Sequence, residues 1–183
     1  MISFRASFFS AFALFLGGLP AAVSGDLSVS IIDSEANTVD HAVVTLTPLF
    51  GDPLPLVATD NAVMRQQNTM FHPFVLPVRT GSAVNFPNLD EFRHHVYSFS
   101  KAKRLELRLY GQDESNEIVF DQAGIVALGC NIHDNMLAYV YVTDDPYYLL
   151  TDKAGAVVFP DLPSGKYKVS VWHPDQKTKQ GVF

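Results

Sequence analysis

Gly129-Cys130-Asn131-Ile132-His133-Asp134-Asn135-Met136 lies between two apolar runs, Ile125-Val126-Ala127-Leu128 before it and Leu137-Ala138-Tyr139-Val140-Tyr141-Val142 after it. Short runs of branched and aromatic residues bounded by polar turn residues predict strands, so the octapeptide is an inter-strand loop. On that loop a thiol, an imidazole and a thioether recur at every third residue: Cys130, His133 and Met136. Soft sulfur stabilises Cu(I), imidazole serves both copper oxidation states, and two imidazoles with one thiolate and a weak axial thioether make a trigonal copper site. The loop lacks the second imidazole. Upstream, His94 and His95 stand at the start of another predicted strand, His95-Val96-Tyr97-Ser98-Phe99, and supply two candidates.

Cys130 is the single cysteine of 183 residues, which excludes an internal disulfide framework and any cluster needing several thiolates from this chain. The first segment sharpens the anomaly. Arg5 precedes an apolar core, Ser7 to Leu16; Gly17-Gly18-Leu19-Pro20 breaks any helix, and Ala22-Val23-Ser24 offers small residues for cleavage. Residues 1–24 therefore read as an export signal, since the apolar run is too short to span a bilayer, which takes about 20 residues. In an oxidising compartment an unpaired thiol is exposed to oxidation unless it is buried or held as a metal thiolate. The chain has 13 Lys and Arg against 19 Asp and Glu, net −6, and removal of Arg5 makes the exported part more negative still. That balance argues against nucleic acid and anionic membranes as partners, with no stable membrane insertion expected.

Working outward, Leu27–Asp33 and Ala42–Thr47 alternate as two strands around a turn at Ser34-Glu35-Ala36-Asn37 and predict a hairpin. Residues 49–61, with Gly51, Pro53 and Pro55, read as a loop. Predicted strands at 74–78, 82–86, 95–99, 105–110, 117–120, 125–128 and 137–142 then follow at short intervals, separated by Gly, Asn, Asp and Pro. Ala156–Phe159 and Tyr167–Trp172, around Pro160 to Gly165, predict a second hairpin. No convincing helical period is present. The fold class is all-β, an antiparallel sandwich or barrel.

At this level of detail the chain resembles the cupredoxin family, the plastocyanin and amicyanin group, and most of all exported plastocyanin-like proteins often labelled methylamine utilization proteins. The resemblance rests on Pro73-x-x-Leu76-x-Val78-x-x-Gly81-x-x-Val84-x-Phe86-x-Asn88, on His94-His95-Val96-Tyr97-Ser98-Phe99, on Phe120-Asp121-x-x-Gly124-x-Val126-x-Leu128-x-Cys130, and on Cys130-x-x-His133-x-x-Met136. It covers about residues 64 to 145 and implies a cupredoxin-like Greek-key barrel or sandwich. Carried over residue by residue, it implies one mononuclear copper held by His94, Cys130, His133 and Met136. Strand parity dissents, because it sets His95 with the bulky Tyr97 and Phe99, and His94 with Val96, Ser98 and Ser100. We take His94, since strands beside metal sites often carry bulges that break parity, and assign His95 a supporting hydrogen-bonding role. Asn131 and Asp134-Asn135 depart from the family loop and bear on reduction potential and docking surface.

The flanks, 26–47 and 149–174, resemble the two halves of a prealbumin-like, carboxypeptidase-regulatory type sandwich through Gly155-x-x-x-Phe159-x-x-Leu162-Pro163-x-Gly165-x-Tyr167-x-Val169-x-Val171. The expected organisation is a signal peptide at 1–24, N-terminal strands at 25–60, a copper domain at 61–148 and a C-terminal β-hairpin at 149–183. Either the copper domain is inserted between two sandwich halves, or the flanks extend one barrel.

The resemblance implies a periplasmic type 1 (blue) copper protein, not an enzyme, that passes single electrons between redox partners such as a dehydrogenase or cytochrome across a weak, transient interface. A copper carrier or sensor would use the same ligands. A metal-free sandwich interaction module is suggested by the flanks alone. A cysteine hydrolase with Cys130 as nucleophile and His133 as base is opposed by their spacing on one loop and by the lack of an evident oxyanion-hole motif. His41, His72 and His173 read as solvated or capped, and Tyr147, Tyr148 and Trp172 as packing residues.

Overall fold

The computed structural model describes residues 3–5, 24–52 and 54–176. Most of the expected export signal, residues 6–23, lies outside the described residues. Along the chain the strands are β1 (Ser3–Arg5), β2 (Ser24–Ile32), β3 (Val43–Pro48), β4 (Ala62–Val63), β5 (Arg65–Gln67), β6 (Met70–His72), β7 (Val75–Arg79) and β8 (Ser82–Pro87). They continue as β9 (His94–Phe99), β10 (Arg104–Tyr110), β11 (Ser115–Phe120), β12 (Gly124–Cys130), β13 (Leu137–Thr143), β14 (Tyr147–Leu150), β15 (Ala156–Pro163) and β16 (Tyr167–Trp172). The architecture is all-β, and no helix occurs among the described residues. None is therefore long and apolar enough there to cross a membrane.

The chain divides into two compact units, residues 54–146 and the flanks 1–53 with 147–183. In the central unit a five-stranded sheet runs in the order β10-β9-β12-β13-β7, and a three-stranded sheet in the order β11-β8-β4. The end strands β7 and β4 are the parallel ones, pairing with β13 and β8. Alternation decides which side chains go in: along β12, Val126, Leu128 and Cys130 are buried while the residues between them are half-buried. Those side chains join Val84, Phe86, Val96, Phe120, Ala138 and Val140 in one core. Burying a side chain of this size fully contributes about 1.5–3 kcal/mol.

The flanking unit is a small sandwich of two three-stranded sheets, β1-β2-β15 and β14-β3-β16, around Ile31, Val44, Leu46, Phe159 and Val171. Here both expected hairpins fail. β2 pairs with β15 and β3 with β16, so each sequence-adjacent pair splits between the two sheets. Ser34-Glu35-Ala36-Asn37 does reverse the chain, whereas Pro160 to Pro163 continue β15 past an irregularity in its pairing with β2 and leave the turn to 164–166. Both reversals cross between the sheets instead of returning within one. Asp33 shapes the first one, its carboxylate accepting from the backbone N–H of Glu35 and Asn37.

Candidate metal centre

β9 and β12 are neighbours in the five-stranded sheet, and their register sets Gly129 opposite Tyr97 and Cys130 opposite Val96. A side chain at 129 would bring its Cβ to 2.9 Å of the Tyr97 ring, so glycine there leaves room for that ring to lie across β12 directly before the cysteine. Cys130 ends β12 facing the core, 4% exposed. His94 begins β9 on the same face as Val96 and Ser98, all three buried. His133 is half-buried on the loop after β12, which closes where the Met136 N–H donates to the His133 carbonyl at 3.0 Å. Met136 is buried in the same cluster as Cys130.

This backbone brings three of the expected residues together. The Cys130 Sγ lies 3.8 Å from His94 Nδ1 and 3.6 Å from His133 Nδ1. One ligand atom from each residue falls within 4.8 Å of the other two. A metal bonded to a thiolate at about 2.3 Å and an imidazole at about 2.0 Å holds those two atoms about 3.7 Å apart at a trigonal angle, and about 3.5 Å at a tetrahedral one. The observed pair of distances fits a three-ligand ion, and the sulfur and nitrogen donors suit copper.

His95 points to the other face of β9. Its Nε2 stands 3.2 Å from Glu106 Oε1 without hydrogen-bond geometry, and its ring lies beside Tyr97. Parity along β9 is regular, and the face it turns inward is that of His94, Val96 and Ser98, not the aromatic one. Phe99 is 77% exposed, so the Tyr97 and Phe99 face looks out.

Several residues that support the site escaped the sequence reading. His94 Nε2 is 2.8 Å from Asp90 Oδ2 in a buried pair. An ionised carboxylate only accepts, so this bond takes a proton on Nε2, and a neutral ring held this way turns its Nδ1 lone pair toward Cys130. Asp90 also accepts from the backbone N–H of Asn68 at 2.7 Å and Thr69 at 3.1 Å. Burial would raise the Asp90 pKa, but the Thr69 N–H, the His94 ring and the Asn68 N–H outweigh it and hold the carboxyl below its ordinary range. The fully buried Asn88 fixes the loop, its amide donating to the carbonyls of Phe92 and Tyr110 while its oxygen accepts from the Asp90 N–H. The available signal was Asn88-x-Asp90-x-x-x-His94, whose polar residues precede a strand and turn back on it. Phe92, 46% exposed, lies against both imidazoles, with ring centroids 5.2 Å from His94 and 5.5 Å from His133.

No protein-family model matches the chain, and no curated protein matches its sequence. Among solved structures it is similar to the Cu-containing nitrite reductase of Thermus scotoductus, at 21% identity and TM-score 0.45 over 54% of this chain; it spans 25% of that enzyme's chain. It is similar to a purple cupredoxin from Nitrosopumilus maritimus at 19% identity and TM-score 0.41, covering 45% of this chain and 100% of that one. A reduced Cu(I) form of amicyanin is similar at 20% identity and TM-score 0.43, covering 54% of this chain and 99% of that one.

Proposed function

We propose that the chain is an exported protein that binds one copper ion and carries single electrons between redox proteins, with no substrate transformed. The observation that carries this is the convergence of the two Nδ1 atoms on the one Cys130 sulfur inside a strand framework. Copper held there supplies a one-electron couple between Cu(I) and Cu(II). Cys130, on losing its thiol proton, would act as the thiolate ligand, His94 and His133 would offer Nδ1 lone pairs, and Met136 would add a weak thioether donor. Cys130 and His94, fixed on paired strands, would hold the ion with little rearrangement between its two oxidation states. The route out is His133, half-buried on its loop and flanked by the exposed Phe92 and Ile132. A small apolar surface of that kind suits a brief encounter with a dehydrogenase or cytochrome. Residues 1–24 support delivery to the periplasm.

The test is to add Cu(II) to the purified chain and record the visible spectrum. We expect an intense thiolate-to-copper charge-transfer band at one copper per chain, absent in Cys130→Ala. Protein that stays colourless and binds no copper overturns the proposal. Exchangeable copper without a reversible couple would identify a carrier instead.

A further inference from the structure

The His94 ring is gripped from behind by a carboxylate that has no freedom of its own. Asp90 is 8% exposed, and both its oxygens are committed: Oδ1 accepts from Asn68 N–H, while Oδ2 accepts from Thr69 N–H and meets His94 Nε2. The two backbone donors are aimed by an unusual conformation. Asn68 and Thr69 connect β5 to β6, and both have left-handed φ, 56° and 57°. That is the two-residue turn whose twist matches a tight hairpin. Asn68 tolerates this φ better than most residues, whereas Thr69 is β-branched and strained there. The hairpin itself is tied to the same loop, because the Leu89 N–H donates to the Gln66 carbonyl at 2.9 Å. A carboxylate needed only for loop structure would be satisfied by the two backbone donors; Asp90 adds a buried charge-assisted bond to a metal-facing imidazole.

Resting on the copper reading above, we propose that Asp90, clamped by the Asn68–Thr69 turn, is a positioning residue that sets the His94 tautomer and tunes the copper couple toward the oxidised state. A carboxylate on the far nitrogen makes the near nitrogen a stronger donor. Stronger nitrogen donation favours the doubly charged, harder ion over the softer Cu(I). In Asp90→Asn, the amide oxygen can still take the Asn68 N–H, but the amide NH₂ then meets the His94 Nε2–H as donor against donor. The ring is driven toward the tautomer with its proton on Nδ1, facing the metal.

The test compares copper-loaded wild type with Asp90→Asn by voltammetry and by Cu(II) and Cu(I) competition titrations. Loss of a partner of this kind costs about 10–100-fold in metal affinity. We expect that loss for Cu(II), a smaller one for Cu(I), and a potential that rises by about 59 mV for each tenfold difference between them. Asp121→Asn, which removes an exposed carboxylate paired with Lys103, leaves the potential unchanged. An Asp90→Asn protein with the wild-type Cu(II)-to-Cu(I) affinity ratio overturns the proposal. A second measurement needs no variant: ring ¹⁵N shifts of His94 in wild type, metal-free and Cu(I)-loaded, are expected to report the proton on Nε2, and a proton on Nδ1 also overturns it. Wild type that takes up no copper defeats the copper reading, while the metal-free ring shifts still decide whether Asp90 holds the tautomer.

Discussion

A lone thiol buried between two imidazole nitrogens has few uses. Cys130 has no cysteine partner, and its sulfur contacts are the nitrogens of His94 and His133, not apolar packing alone. If those nitrogens are ligands, the adjacent histidines 94 and 95 must behave oppositely when truncated. His94→Ala is expected to abolish the visible copper band, and His95→Ala to retain it, because His95 lies on the Tyr97 face of β9 near Glu106. A band lost in His95→Ala and kept in His94→Ala would reverse the assignment. Tyr110 permits a separate test by pH. Burial drives its phenol well above the ordinary tyrosine range, against the opposing bond it donates to Gln66 Oε1 and with a further push from Cys130. A raised pKa means that folding favours the protonated phenol. Its contribution to stability is therefore complete below the ordinary tyrosine pKa of about 10 and is lost as pH rises above that value toward the folded one. Denaturant midpoints from about pH 9 upward are expected to fall more steeply in wild type than in Tyr110→Phe; equal slopes would contradict the shift.

At the scale of the elements, legibility followed alternation. β12 could be read because Val126, Leu128 and Cys130 alternate with less buried residues, and that alternation also aims the thiol inward. β5 could not: Arg65-Gln66-Gln67 has no apolar period, although Gln66 is fully buried and accepts the Tyr110 hydroxyl. Since that short hairpin carries the turn that holds Asp90, the part of the site it builds was hidden with it. The flanking strands were legible as strands but not as partners, because a buried face specifies orientation and leaves the neighbouring strand undetermined. One glycine there has a function that substitution can expose. Gly155 has φ +69°, and a Cβ on it would sit 2.6 Å from the Ile31 carbonyl oxygen and 2.9 Å from the Val39 nitrogen. Neither backbone atom can swing aside as a side-chain tip can. Gly155→Ala is expected to destabilise the flanking unit by at least about 1–3 kcal/mol, read as a lower denaturant midpoint. An unchanged midpoint would show that the β2 and β15 pairing yields at that point.

For the whole molecule, the proposed ligand set and the two cores divide the consequences of mutation. His94, Cys130, His133 and Met136 all belong to residues 54–146, whereas Leu46 is fully buried in the sandwich of the flanks. A ligand that binds only the folded state stabilises it by RT ln(1 + [L]/Kd), about 2.7 kcal/mol at a hundredfold excess over Kd. Copper bound at the proposed centre would therefore raise the thermal transition of the central unit, and Cys130→Ala should erase that rise. Leu46→Ala opens a cavity in the other core and is expected to cost about 2–5 kcal/mol there. Because Leu46 contributes no atom to the ligand set, the variant should lower the transition of the flanking unit while keeping both the copper-induced rise and the visible band. Scanning calorimetry of wild type and the two variants, each with and without copper, measures all of these shifts. Were Leu46→Ala to lose the copper-induced rise while Cys130→Ala kept it, the stabilising ion would be bound elsewhere than at Cys130.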